Sequence, residues 1–126
     1  MLSLAIQNLN DVAVFQCAGR ITVEDEHLLR RAVLSQAPIG IAVLDLAQVT
    51  AVDAAGLGML VALRAWANET GTGLKLMNLT PLVEETLKVT NLRSGFDICN
   101  VPEMIDLLCR ASRMHQAATA VAATAA

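Results

Sequence analysis

The sequence predicts an α/β fold: a single domain with a mixed β-sheet of four to five strands covered by about four helices. Three observations lead there. The first residues alternate apolar and polar with period two, the mark of half-buried strands. Short apolar runs then alternate with helical spacings of three and four, as in layered α/β domains. Between them, at Val43–Asn68, an apolar β-branched run reaches a turn and restarts as an apolar helix at Asp53.

The elements follow in order. Leu2, Leu4 and Ile6 alternate with polar neighbours, and the pattern resumes at Val12 and Val14 after Asn8-Leu9-Asn10-Asp11, so a hairpin is expected. Gly19 interrupts. Thr22-Val23-Glu24-Asp25 reads as a capping pattern, with Thr22 as N-cap. The helix beyond places Leu28, Leu29, Ala32 and Val33 on one side, and Ala37-Pro38 ends it. Ile39–Leu46 is continuously apolar and suits a central strand covered on both faces.

Asp53 then caps the organising helix, its carboxylate accepting from the free N–H groups of the first turn. Gly56 and Gly58 would let that helix approach another surface closely. From Ala54 to Ala67 the only charged residue is Arg64. Leu57, Leu60 and Val61 form one apolar stripe; Met59, Leu63 and Trp66 form a second. A helix on a sheet needs only one stripe, so the helix is either buried all round or uses the second stripe as a docking surface, and docking is the expectation. Gly71-Thr72-Gly73 stops the helix. Leu74, Leu76, Met77 and Leu79 suggest a strand. Thr80-Pro81 starts a helix striped by Leu82, Val83, Thr86, Leu87 and Thr90. After a loop at Asn91–Ser94, Phe96-Asp97-Ile98 suggests a last strand. Asn100-Val101-Pro102-Glu103 caps a final helix carrying Met104, Ile105, Leu107, Leu108 and Ala111. Residues 1–112 thus form the domain, and residues 113–126 an Ala-rich tail expected to be frayed.

Composition narrows the function. The chain is 55% hydrophobic but only 2% aromatic, so its core is aliphatic. A net charge of −3 without a basic block argues against nucleic-acid binding. No run reaches membrane-spanning length and no basic-then-apolar leader opens the sequence, so a cytoplasmic protein without membrane insertion is expected. Cys17, Cys99 and Cys109 lack zinc-ligand spacing and read as reduced structural thiols; His27 and His115 read as surface residues. No nucleophile–base–carboxylate set, metal cluster or phosphate-cradling loop is present, so neither an enzyme nor a cofactor is expected. Asp45, at the end of Val43-Leu44-Asp45-Leu46, looks like a receiver-domain phospho-acceptor. It lacks the acidic pair and the correctly placed lysine that such chemistry needs.

The order of elements and the motifs together resemble the STAS domain, shared by sulfate transporters and bacterial anti-sigma-factor antagonists. Gly19-Arg20-Ile21-Thr22, then Val43–Leu46 with Val49 and Asp53-Ala54-Ala55-Gly56-Leu57-Gly58, then Leu74–Val83 with Leu87 and Thr90-Asn91-Leu92, carry the likeness over residues 1–112. The resemblance implies a protein-binding module whose partner is an anti-sigma factor with serine-kinase activity. The alternative is a STAS subunit of a lipid-transporting ABC assembly, gripping its ATPase with the same face. A homodimer is left open. The partner-binding residues expected are Thr22, Asp53, Ala54, Ala55, Gly56, Leu57, Gly58, Met59, Leu63, Trp66 and Thr80.

In the antagonists the residue after that aspartate is usually a phosphorylatable serine; here it is Ala54. A phosphate there would place about −1.5 to −2 charge beside Asp53. Its absence implies a binding surface held in the uncharged form. Thr50, Thr80 and Thr22 are the nearby hydroxyls that could accept phosphate instead, although turn and cap roles suit them better.

Overall fold

Strand pairing and handedness account for the architecture. A computed structural model of the chain describes residues 2–22, 26–36 and 39–110. Its elements run β1 (Leu2–Leu9), β2 (Val12–Ile21), α1 (Glu26–Ser35), β3 (Ile41–Val52), α2 (Ala54–Thr70), β4 (Gly73–Met77), α3 (Pro81–Val89), a 3-10 turn (Arg93–Gly95) and β5 (Asp97–Cys99). A fourth helix, α4, occupies residues 101–110. The strands form one five-stranded sheet in the order β1-β2-β3-β4-β5. β1 and β2 are an antiparallel hairpin, and every later pair is parallel.

Each parallel connection steps one strand further in the same direction, and such crossovers are right-handed almost without exception. The three crossover helices therefore share one face. The main core agrees: Leu29 and Val33 of α1, Met59, Leu60 and Leu63 of α2, and Val83 and Leu87 of α3 pack on Phe15, Leu44, Leu46 and Leu76. The opposite face carries a smaller core, Val12, Val14, Val43, Met77 and Cys99, closed by Met104 of α4 with Leu108 beside it. β3 is buried from both sides, as its apolar run requires.

The local signals did most of the punctuation. Asn10 turns the hairpin at φ 54°, a conformation asparagine tolerates. Gly71 ends α2 at φ 74°, with the Thr72 N–H donating to the Ala67 carbonyl at 2.9 Å. The Thr80 and Asn100 side chains cap α3 and α4, accepting from Val83 N at 3.3 Å and Glu103 N at 2.8 Å.

Four expectations are corrected. The turn expected between Leu46 and Asp53 is strand: β3 continues to Val52, because the long β2 ladder carries it and Val49 is buried. Gly19 does not end β2; at φ 104° it sits at a register shift and the strand runs on to Ile21. Leu28 and Leu82, assigned to inward stripes, are 45% and 55% exposed. One inward seam per helix, Leu29–Val33 and Val83–Leu87, meets the sheet, and the residue preceding each seam points away. β4 stops at Met77, where Asn78 turns the chain at φ 56°, so Leu79 lies beyond the strand. The capping residues expected at 23–25 and the tail at 113–126 lie outside the described residues.

Candidate functional site

The C-terminal ends of β2, β3 and β4 meet the starts of α2 and α3 at one edge. Ile21 pairs with Val52, and the Asp53 N–H donates to the Ile21 carbonyl at 3.2 Å. The Asp53 carboxylate, at an extended backbone, accepts from Gly56 N at 2.8 Å and satisfies one free donor of α2. The Thr50 hydroxyl donates to the Gly19 carbonyl at 3.3 Å, and the Thr80 hydroxyl to the Val49 carbonyl at 3.4 Å. Thr22, Thr50, Asp53 and Thr80 are thereby gathered at this edge. Thr80 also caps α3, so its hydroxyl is engaged on both sides.

The glycines of α2 differ. A Cβ on Gly56 would lie 2.3 Å from the Ile21 carbonyl oxygen, so the helix start presses onto the end of β2 there. A Cβ on Gly58 would meet nothing within 4 Å. The close approach expected of both glycines belongs to Gly56 alone. Gly58 is exposed, and its missing side chain flattens the outer surface of the helix.

The second stripe is also corrected. Met59 and Leu63 are 3% and 2% exposed and belong to the main core; Trp66 is half-buried against it. At 100° per residue, Gly56, Met59, Leu60, Leu63 and Ala67 fall on one arc, and that arc faces the sheet. Leu60 of the first supposed stripe and Met59 and Leu63 of the second all belong to it. The outward arc instead carries Ala54, Gly58, Ala62 and Ala65, with Leu57 and Val61 half-buried at its flank. The surface that α2 itself offers at its start is thus built of small residues, with no charged side chain from Ala54 to Leu63, and is exposed at Ala54 beside the Asp53 cap.

Other titratable groups do not converge here. Asp45 lies within β3, seven residues before its end, and its carboxylate accepts from Ala47 N at 3.1 Å and Asn78 Nδ2 at 3.3 Å. No group of three or more metal-ligating side chains occurs among the described residues. No described helix is long and apolar enough to cross a membrane. None of the three cysteines is in a disulfide; Cys17 and Cys99 are buried and Cys109 is exposed. Burial pushes the Cys17 thiol up to about 12, with the Asp45 charge adding, and burial also raises Cys99.

Residues 4–101 match the family model described as Mlab, STAS domain. The chain belongs to the STAS family. Among solved structures, TM1081 of Thermotoga maritima, assigned as an anti-sigma factor antagonist, superposes with a TM-score of 0.75 at 21% identity, over 83% of this chain and 93% of that one. The anti-sigma factor antagonist SpoIIAA in its unphosphorylated form gives 0.69 at 14% identity, over 84% and 96%; the Bacillus protein is also known in a phosphorylated form. A sulfate transporter family protein from Wolinella succinogenes gives 0.65 at 14%, over 82% and 88%. At these identities the likeness is one of fold. No curated protein sequence matches the chain.

Proposed function

We propose that this STAS domain is a non-catalytic binding module, an anti-sigma-factor antagonist that engages an anti-sigma factor with serine-kinase activity in the cytoplasm. The observation that carries the reading is the start of α2: a capped helix end presenting exposed Ala54 and Gly58, with no charged side chain from Ala54 to Leu63 and with Asp53, Ala55, Leu57, Thr22 and Thr80 around it. The fold shared with the antagonist SpoIIAA and with the Thermotoga protein supports it. With alanine in the serine position, no phosphate forms beside Asp53, and the surface stays in its binding-competent form. Regulation then falls to the partner or to the abundance of this protein.

A second reading is favoured by the family model, whose description is that of an Mlab-type STAS domain. Here the same helix start grips the ATPase of a lipid-transporting ABC assembly. Neither reading needs a hydroxyl at position 54.

Binding of the purified chain to each partner class from the native organism, measured by calorimetry, separates them. The first reading expects affinity for a serine-kinase anti-sigma factor, weakened at least tenfold by Ala54→Glu and by Gly58→Glu. Affinity for an ABC ATPase alone transfers the function to the second reading. Equal binding by wild type and both variants would remove the α2 start as the docking surface.

A further inference from the structure

The two edges of the sheet are protected very differently. β5, at one edge, is three residues long and carries exposed Asp97, paired with Lys75. Brevity and charge are two ordinary ways of keeping an edge strand from pairing with another chain. β1, at the other edge, has neither. It is eight residues long, LSLAIQNL, with no charge, proline or glycine, and it pairs with β2 from Leu2 to Leu9 without a register shift. Among the described residues β2 is its one neighbour in the sheet.

The pairing parity shows which backbone groups this edge presents. Leu9 and Val12 flank a two-residue hairpin turn, where the flanking pair is hydrogen-bonded. The odd residues of β1 therefore bond to β2, and the N–H and C=O groups of Leu4, Ile6 and Asn8 point outward. The side chains alternate as well. Leu2 and Leu4 lean toward the main core and Ile6, on the same face, is left 39% exposed, whereas Ser3, Ala5 and Gln7 lie on the other face.

We propose that β1 pairs antiparallel with β1 of a second copy of this chain across a two-fold axis at Ala5. The register is self-complementary. Leu4 falls opposite Ile6 of the other copy, and Ile6 opposite its Leu4, so apolar side chains meet on the helix-bearing face. Ser3 falls opposite Gln7 and Ala5 opposite Ala5, so small and polar side chains meet on the other. No like charges oppose one another, because the strand has none. The result is a continuous ten-stranded sheet with an isologous contact. One edge strand per partner makes a small interface, below about 1,200 Å², so the dimer exchanges with monomer. It is independent of the docking surface at the α2 start.

Two measurements test this. Sedimentation velocity on the full chain, from micromolar to about 1 mM, should show a concentration-dependent dimer. Ile6→Pro should abolish it with unchanged circular dichroism, since that N–H faces outward and proline is tolerated at such a position. In a Cys109→Ser background, Ala5→Cys should cross-link as a disulfide dimer on mild oxidation, because facing residues at a non-hydrogen-bonded pair lie about 4.5 Å apart at Cα. Gln7→Cys, facing Ser3, should not. A wild-type chain that stays monomeric throughout the range would overturn the proposal. So would a dimer that survives Ile6→Pro, or one that cross-links through Gln7→Cys instead of Ala5→Cys.

Discussion

The Cα of Gly56 is pressed against the carbonyl oxygen of Ile21, so that a Cβ there would come within 2.3 Å of it. The contact locks the first turn of α2 onto the end of β2 and sets the height at which Ala54 is presented.

Gly56→Ala should therefore destabilise the fold by about 2 kcal/mol, the usual cost of overpacking, although alanine is the better helix former. Gly58→Ala, two residues on and in open space, should stabilise by up to about 1 kcal/mol. Urea denaturation of the pair reads the opposite signs directly. Equal shifts would mean that the close approach at Ile21 is not tight.

Asp53→Ala removes the acceptor of the Gly56 N–H and should cost about 1 kcal/mol, with Asp53→Asn recovering most of it. A cap role predicts this rescue in thermal melts; a role resting on the charge alone predicts that Asn behaves like Ala.

Ala54→Ser restores an exposed hydroxyl at the helix start. With a cognate serine-kinase anti-sigma factor and ATP, the variant should gain one phosphate by intact-mass analysis while wild type gains none. A phosphate on wild type would locate a different acceptor, with exposed Thr50 the first to examine by peptide mapping.

Met59→Asp and Leu63→Asp place a charge in the main core, so they should unfold the protein rather than selectively abolish binding. Loss of the cooperative transition in circular dichroism distinguishes the two outcomes. Ala54 and Gly58 are the positions at which binding can be probed without that confusion.

The cysteines give a pH prediction. With its folded-state thiol raised from 9.0 to about 12, Cys17 stays protonated in the fold and ionises only on unfolding. The folded state then holds more protons than the unfolded one between those values. Stability owed to Cys17 is thus constant below pH 9 and falls as pH rises from 9 toward about 12. At pH 10 the loss should be about 1 kcal/mol. It should be absent from the same comparison made with Cys17→Ala. At neutral pH a thiol-alkylating reagent should modify Cys109 and spare Cys17 and Cys99.

The sequence by itself determined the order of elements, the hairpin at Asn10, the Asp53, Thr80 and Asn100 caps, the glycine stop at Gly71 and the STAS motif. All of these are local: a cap or a positive φ is satisfied by groups within a few residues, so the residue type alone carries the signal. The tertiary structure decided which arc of α2 faces the sheet. With apolar residues almost all round, its helical phase was ambiguous, and packing on Phe15 and Leu44 chose the arc through Leu60 and Leu63. Packing likewise decided the length of β3, where pairing with β2 kept Gln48 to Val52 extended, and the different roles of Gly56 and Gly58. Such choices depend on what lies across the interface. The candidate site was legible in the sequence as a helix start, but the exposed surface there was set by contacts between residues distant along the chain.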